Sequence, residues 1–61
     1  MRIKERRIEL GISKYDMSKL SKIDLKRYIE IERGRVRCSF KELYILSMIL
    51  RIPITKIKEL A

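Results

Sequence analysis

The sequence predicts an all-α fold, a compact arrangement of five short helices, and three observations carry that prediction. No stretch sustains the apolar–polar alternation of a half-buried strand. Gly11, Gly34 and Pro53 cut the chain into helix-length pieces. Two Ser-x-x-acid tetrapeptides, Ser13-Lys14-Tyr15-Asp16 and Ser39-Phe40-Lys41-Glu42, stand at helix starts, where hydroxyl and carboxylate satisfy the free N–H groups of a first turn. A chain of 61 residues supports one small core, so residues 1–61 are read as a single domain.

Taken in order, the first helix spans about residues 2–10, with Ile3, Arg7 and Leu10 on one face, and Gly11 is placed to close it in the left-handed conformation. Ser13 caps a second helix near 14–20, with Ile12 and Met17 positioned as its hydrophobic staple. Ser21, Lys22 and Ile23 turn the chain, and Asp24 caps a third helix near 24–33 that Gly34 ends. Ser39 opens a fourth helix near 39–50. Pro53, as a first-turn proline, starts a fifth near 53–60.

Composition narrows the function classes. Lys and Arg outnumber Asp and Glu by 16 to 8, so the net charge of +8 suits a polyanionic partner, nucleic acid or an anionic surface. The single cysteine, Cys38, forms no internal disulfide, and without histidine the usual nitrogen and sulfur ligands of zinc are missing, so no metal or cofactor is expected. Apolar runs are short and broken by charge, which predicts no membrane span, no signal segment and a cytoplasmic location. Catalysis is not expected, because the chain offers no nucleophile–base arrangement and no phosphate-cradling glycine loop, nor is a small-molecule ligand.

Two short helices joined by a three-residue turn, the second rich in long polar side chains, have the layout of a helix-turn-helix. Ile3-Lys4-Glu5 with Arg7, Leu10-Gly11-Ile12-Ser13, Met17-Ser18, Leu20, Ile23, Ile31-Glu32-Arg33-Gly34, Ser39, Leu43 and Leu50 extend the pattern over nearly the whole chain without a gap. On those residues the sequence resembles the Cro and phage-repressor family of helix-turn-helix domains. The resemblance implies sequence-specific binding of double-stranded DNA, transcriptional control as a repressor, and an architectural ion pair between Arg7 and Glu32. Lys22 stands where that family often has a turn glycine, Cys38 where it often has proline, and Arg51 where it often has glycine.

With Tyr28 and Ile31 turned to the core, Leu25, Lys26, Arg27, Ile29 and Glu30 face outward as candidate base readers. Lys26 and Arg27 match guanine O6 and N7, Glu30 matches cytosine N4, and Leu25 and Ile29 match a thymine methyl. Ile29 is the odd member, an apolar side chain on a face expected to be wet. Phosphate contacts are expected from Ser13, Lys14 and Tyr15 at the start of the second helix and from Arg33, Arg35 and Arg37 beyond Gly34. In the fourth helix Phe40, Leu43, Ser47 and Leu50 make one stripe, and Ile45, Met48, Ile49 and Ile52 make another. The second stripe, with Ile54 and Ile57 nearby, is an expected homodimer interface, which a two-fold operator favours. The competing class is a protein-interaction module of the same fold, such as an antitoxin or a subunit of a larger regulator.

Overall fold

The structure is a computed structural model that describes residues 2–57. Four α-helices follow one another, α1 (Ile3–Glu9), α2 (Lys14–Ser21), α3 (Leu25–Glu32) and α4 (Phe40–Leu50), and a 3₁₀ turn at Ile54–Lys56 closes the described chain. Among the described residues there is no strand. The all-α class holds, and the count changes at its end.

Where a fifth helix was expected at 53–60, the described portion is one 3₁₀ turn. Pro53 has ψ 142 and sits outside the turn as its cap, not in its first position. Ile57 is extended at φ −87, ψ 116, and its side chain is buried, so the chain leaves helical geometry to drop an isoleucine into the core. Residues 58–60 of that expectation lie outside the described residues.

Helix starts follow the caps. Ser13 Oγ accepts from Asp16 N at 3.0 Å, and Asp24 Oδ2 accepts from Lys26 N at 3.1 Å. Ser39 and Glu42 form the full reciprocal box: Glu42 N donates to Ser39 Oγ at 3.2 Å and Ser39 N to Glu42 Oε1 at 2.7 Å. Each helix then meets a residue in the left-handed region, Gly11 (φ 70), Lys22 (φ 60), Gly34 (φ 77) and Arg51 (φ 57). Two of these stops are therefore cations, each holding a conformation that costs an L-residue about 1 kcal/mol or more.

The core gathers Ile3, Met17, Ile23, Tyr28, Ile31, Leu43, Leu46, Leu50 and Ile57, so every helix contributes. On α4 the buried stripe is Leu43, Leu46, Ser47 and Leu50. Leu46 joins it because it lies three residues after Leu43 and four before Leu50. Phe40 leaves it: in the first turn of α4 its side chain leans back toward the helix start, past the end of the core, and is 75% exposed. The expected second stripe divides. Ile45, Ile49, Ile52 and Ile54 are half-buried, the last three packed against the core, whereas Met48 is exposed. Phe40, Tyr44 and Met48, four residues apart, form the apolar line that α4 leaves to solvent.

Candidate nucleic-acid interface

The turn between α2 and α3 comprises residues 22–24, and two serines stabilise it. Ser18 Oγ donates to the Ile23 carbonyl at 2.6 Å; Ser21 Oγ donates to the Met17 carbonyl at 2.6 Å and accepts from Ile23 N at 3.3 Å. Ser21 is buried, while Leu20 beside it is largely exposed. These bonds hold Ile23 in the core and hold Lys22 in its left-handed conformation without a glycine.

Behind α3 lies a buried polar brace. Arg7 Nε donates to Glu32 Oε2 at 3.1 Å and Nη2 to Oε1 at 3.4 Å, while Nη1 donates to the Ile12 carbonyl at 2.8 Å. Their side chains are only 9% and 4% exposed. The Tyr28 hydroxyl completes the set, donating to Glu32 Oε2 at 2.6 Å. Burial, and then the bond to Glu32, push the Tyr28 phenol well above its ordinary pKa, so it remains a donor throughout the working range. The brace joins α1, the chain at Ile12, and the middle and C-terminal end of the inner face of α3. A second cation of α1 works similarly: Arg6 Nε donates to the Leu50 carbonyl at 2.8 Å and ties α1 to the end of α4.

With Tyr28, Ile31 and Glu32 turned inward, a 3.6-residue repeat places Lys26, Glu30 and Arg33 farthest from the core, with Leu25 and Arg27 on opposite flanks. Leu25, Lys26, Arg27 and Arg33 are exposed; Ile29 and Glu30 are half-buried. The apolar Ile29 thus lies on the shoulder of the helix, half in packing, not at its crest. Glu30 faces Arg35, with its Oε2 3.8 Å from Arg35 Nε.

Arg27 is the most engaged residue of the outer surface. Its Nε donates to Glu42 Oε2 at 2.6 Å, and its Nη2 donates to Glu42 Oε1 at 2.9 Å and to the Arg37 carbonyl at 3.4 Å. Hydrogen bonding from Arg27, with help from Ser39, lowers the Glu42 carboxyl to about 2, and the same pairing raises the Arg27 guanidinium. Glu42 was legible from the sequence only as a capping partner. Its pairing with Arg27 spans 15 residues, a separation that no local spacing rule registers.

The phosphate candidates fall into two groups. Ser13 caps α2, Lys14 is half-buried and Tyr15 exposed beside it, and Lys19 Nζ lies 4.7 Å from the centre of the Tyr15 ring. Arg33, Arg35 and Arg37 are all exposed in the segment joining α3 to α4. Tyr28, Ser18 and Ser21 were read from the sequence only as core, pattern and turn residues, and their hydrogen bonds were not anticipated. A tyrosine four residues before a glutamate on one helix was the available signal for the first.

Among the described residues no cluster of His, Cys, Asp or Glu could hold a metal ion, and no helix is long and apolar enough to cross a membrane. The helix-turn-helix family model matches residues 3–57, spanning α1 through the 3₁₀ turn. No curated protein and no solved structure gives a match.

Proposed function

The chain belongs to the Cro and phage-repressor type of helix-turn-helix family, a family of DNA-binding regulators, and from that premise we propose that it is a sequence-specific transcriptional repressor that lays α3 in the major groove. The observation that carries this reading is the contrast between the two sides of α3. Its inner side is fixed by Tyr28, Ile31 and the Arg7–Glu32 pair, while Leu25 and Lys26 stand exposed at its N-terminal turn. A reading helix needs that combination, since base edges are distinguished only by side chains held in register.

In this reading Lys26 donates to guanine O6 and N7 and Leu25 covers a thymine methyl, with Ile29 and Glu30 reaching the next base pairs. Ser13, Lys14 and Tyr15 meet the backbone on one side of the groove, and Arg33, Arg35 and Arg37 on the other. Two copies act on a two-fold operator, joined through the line of Phe40, Tyr44 and Met48 with the half-buried Ile45, Ile49, Ile52 and Ile54 around it.

Titration of a labelled random duplex at low and moderate salt tests the premise, since phosphate contacts must make affinity fall steeply as salt rises. No binding at low salt refutes it and returns the chain to the protein-interaction class. Selection from a random duplex pool tests specificity: a recovered consensus supports the regulator, and an unenriched pool opposes it. Sedimentation equilibrium on the selected duplex reads the stoichiometry; one chain per operator removes the dimer.

A further inference from the structure

Arg27 lies in the first half of α3, on a helix built to be read against DNA, yet its guanidinium already makes three hydrogen bonds within the protein. Nε and Nη2 fork onto the two oxygens of Glu42 at 2.6 and 2.9 Å, and Nη2 also reaches the Arg37 carbonyl. The Glu42 carboxylate in turn accepts from Ser39 N at 2.7 Å and so closes the cap of α4. One guanidinium therefore joins three segments, namely α3, the segment carrying Arg33, Arg35 and Arg37, and the start of α4. A bidentate arginine–carboxylate fork fixes orientation as well as distance, which a lysine in the same place does not.

We infer that Arg27 is a positioning residue of the DNA interface, clamped by Glu42 so that the arginine-bearing segment sits at a set distance from α3, and that Lys26 is the cation that reads base edges. The inference rests on the DNA-binding reading above. Two considerations support it. Arg27 is rotated by one residue, about 100°, from Lys26, which puts it on the flank of α3 turned toward α4 and not at the crest. Swinging Arg27 to a guanine would also strip Glu42 of its cation and leave a bare carboxylate beside incoming phosphates, an arrangement that like charges oppose.

The test compares wild type with Arg27→Ala, Arg27→Lys, Glu42→Gln and the double variant Arg27→Ala/Glu42→Gln, on a duplex selected by the wild-type chain. Glutamine still serves a capping box, so Glu42→Gln removes the charge while retaining the cap. Circular dichroism establishes that each variant is folded, and Arg27→Lys serves where alanine is not tolerated. The clamp predicts that Arg27→Ala and Arg27→Lys both bind about 5- to 20-fold more weakly, a loss of about 1–2 kcal/mol, yet select the same consensus as wild type. It also predicts that Arg27→Ala changes affinity less than about threefold in the Glu42→Gln background, the signature of two residues acting as one unit. Their salt slope should equal that of wild type, since no phosphate contact is lost.

Loss of preference at one base pair in Arg27→Ala, a slope reduced by about 0.9, or an undiminished effect of Arg27→Ala in the Glu42→Gln background would each overturn the clamp and make Arg27 a direct DNA contact. Failure of the wild-type chain to bind any duplex defeats the DNA-binding reading itself, and is thereby distinct from these three results.

Discussion

Replacing Glu32 by alanine should remove most of the stability of this domain, because the substitution strands a buried cation. Arg7 is 9% and Glu32 4% exposed, and of the three hydrogen bonds Arg7 makes in this brace only the one to the Ile12 carbonyl survives. Breaking a buried pair from one side costs about 3–5 kcal/mol, because the remaining charge is neither hydrated nor paired. The Tyr28 hydroxyl loses its acceptor as well, adding about 1 kcal/mol. A chain of 61 residues has a total stability of roughly 3–9 kcal/mol at the usual 0.05–0.15 kcal/mol per residue. Glu32→Ala should therefore lower the Tm by about 20 °C or leave the chain largely unfolded at room temperature. The double variant Arg7→Met/Glu32→Gln removes both charges and leaves Tyr28 an amide oxygen to bond, so it should recover to within about 2 kcal/mol of wild type. Urea and thermal denaturation followed by far-ultraviolet circular dichroism at neutral pH measures all three. A loss under about 1 kcal/mol for Glu32→Ala, or a double variant no more stable than the single one, refutes the reasoning.

The Glu42 carboxyl, lowered from 4.5 to about 2 in the fold, contributes stability that is fully present above pH 4.5 and is lost as pH falls toward 2. The stability gap between wild type and Glu42→Gln should accordingly be constant above about pH 5 and close between pH 4.5 and 2; an equal gap at pH 7 and pH 2.5 contradicts the pairing. Lys26→Ala should lose about 1–3 kcal/mol on the selected duplex and discriminate less at one base pair, whereas Lys14→Ala should weaken all duplexes alike and reduce the salt slope by about 0.9. Lys22→Gly relieves a left-handed lysine at φ 60 and should raise stability by about 1 kcal/mol in chemical denaturation; an unchanged or lower midpoint contradicts the strain.

What could be read from the chain alone was local chemistry. Ser13, Asp24 and Ser39 mark the starts of α2, α3 and α4, and Gly11 and Gly34 mark stops, because a cap or a left-handed residue acts within four positions of itself. The Arg7–Glu32 bond, 25 residues apart, was implied by family resemblance and not by spacing. Arg27 and Glu42 belong to elements whose approach depends on the path of the segment between them, so nothing local distinguishes this arginine from a base reader. The start expected of a fifth helix shifted because Pro53 is equally suited to a first helical turn and to a cap, and with ψ 142 it caps the 3₁₀ turn Ile54–Lys56. Phe40 left the expected stripe for a related reason: apolar periodicity gives a stripe but not the point along the helix at which the core ends.

The net charge of +8 overstates what this chain can offer a duplex. Small cores bury a limited fraction of their surface, and here long cations serve as struts around the apolar core. Arg6 holds the end of α4, Arg7 holds Glu32, Arg27 holds Glu42, and Lys19 stacks on Tyr15. The charged side chains expected at phosphates are Lys14, Arg33, Arg35 and Arg37, of which Arg35 faces Glu30 at 3.8 Å. At about 0.9 per neutralised phosphate, these four set a slope of log affinity against log salt of roughly −3.6 per chain. Salt in that range should weaken binding without unfolding the protein, because the Arg7–Glu32 pair lies beneath the surface where screening is weak. Fluorescence anisotropy on the selected duplex from 50 to 300 mM salt, with circular dichroism on the same samples, measures both quantities. A slope steeper than about −5 per chain would mean that the struts release their partners and join the phosphate contacts, and the separation between bracing cations and binding cations would then be wrong.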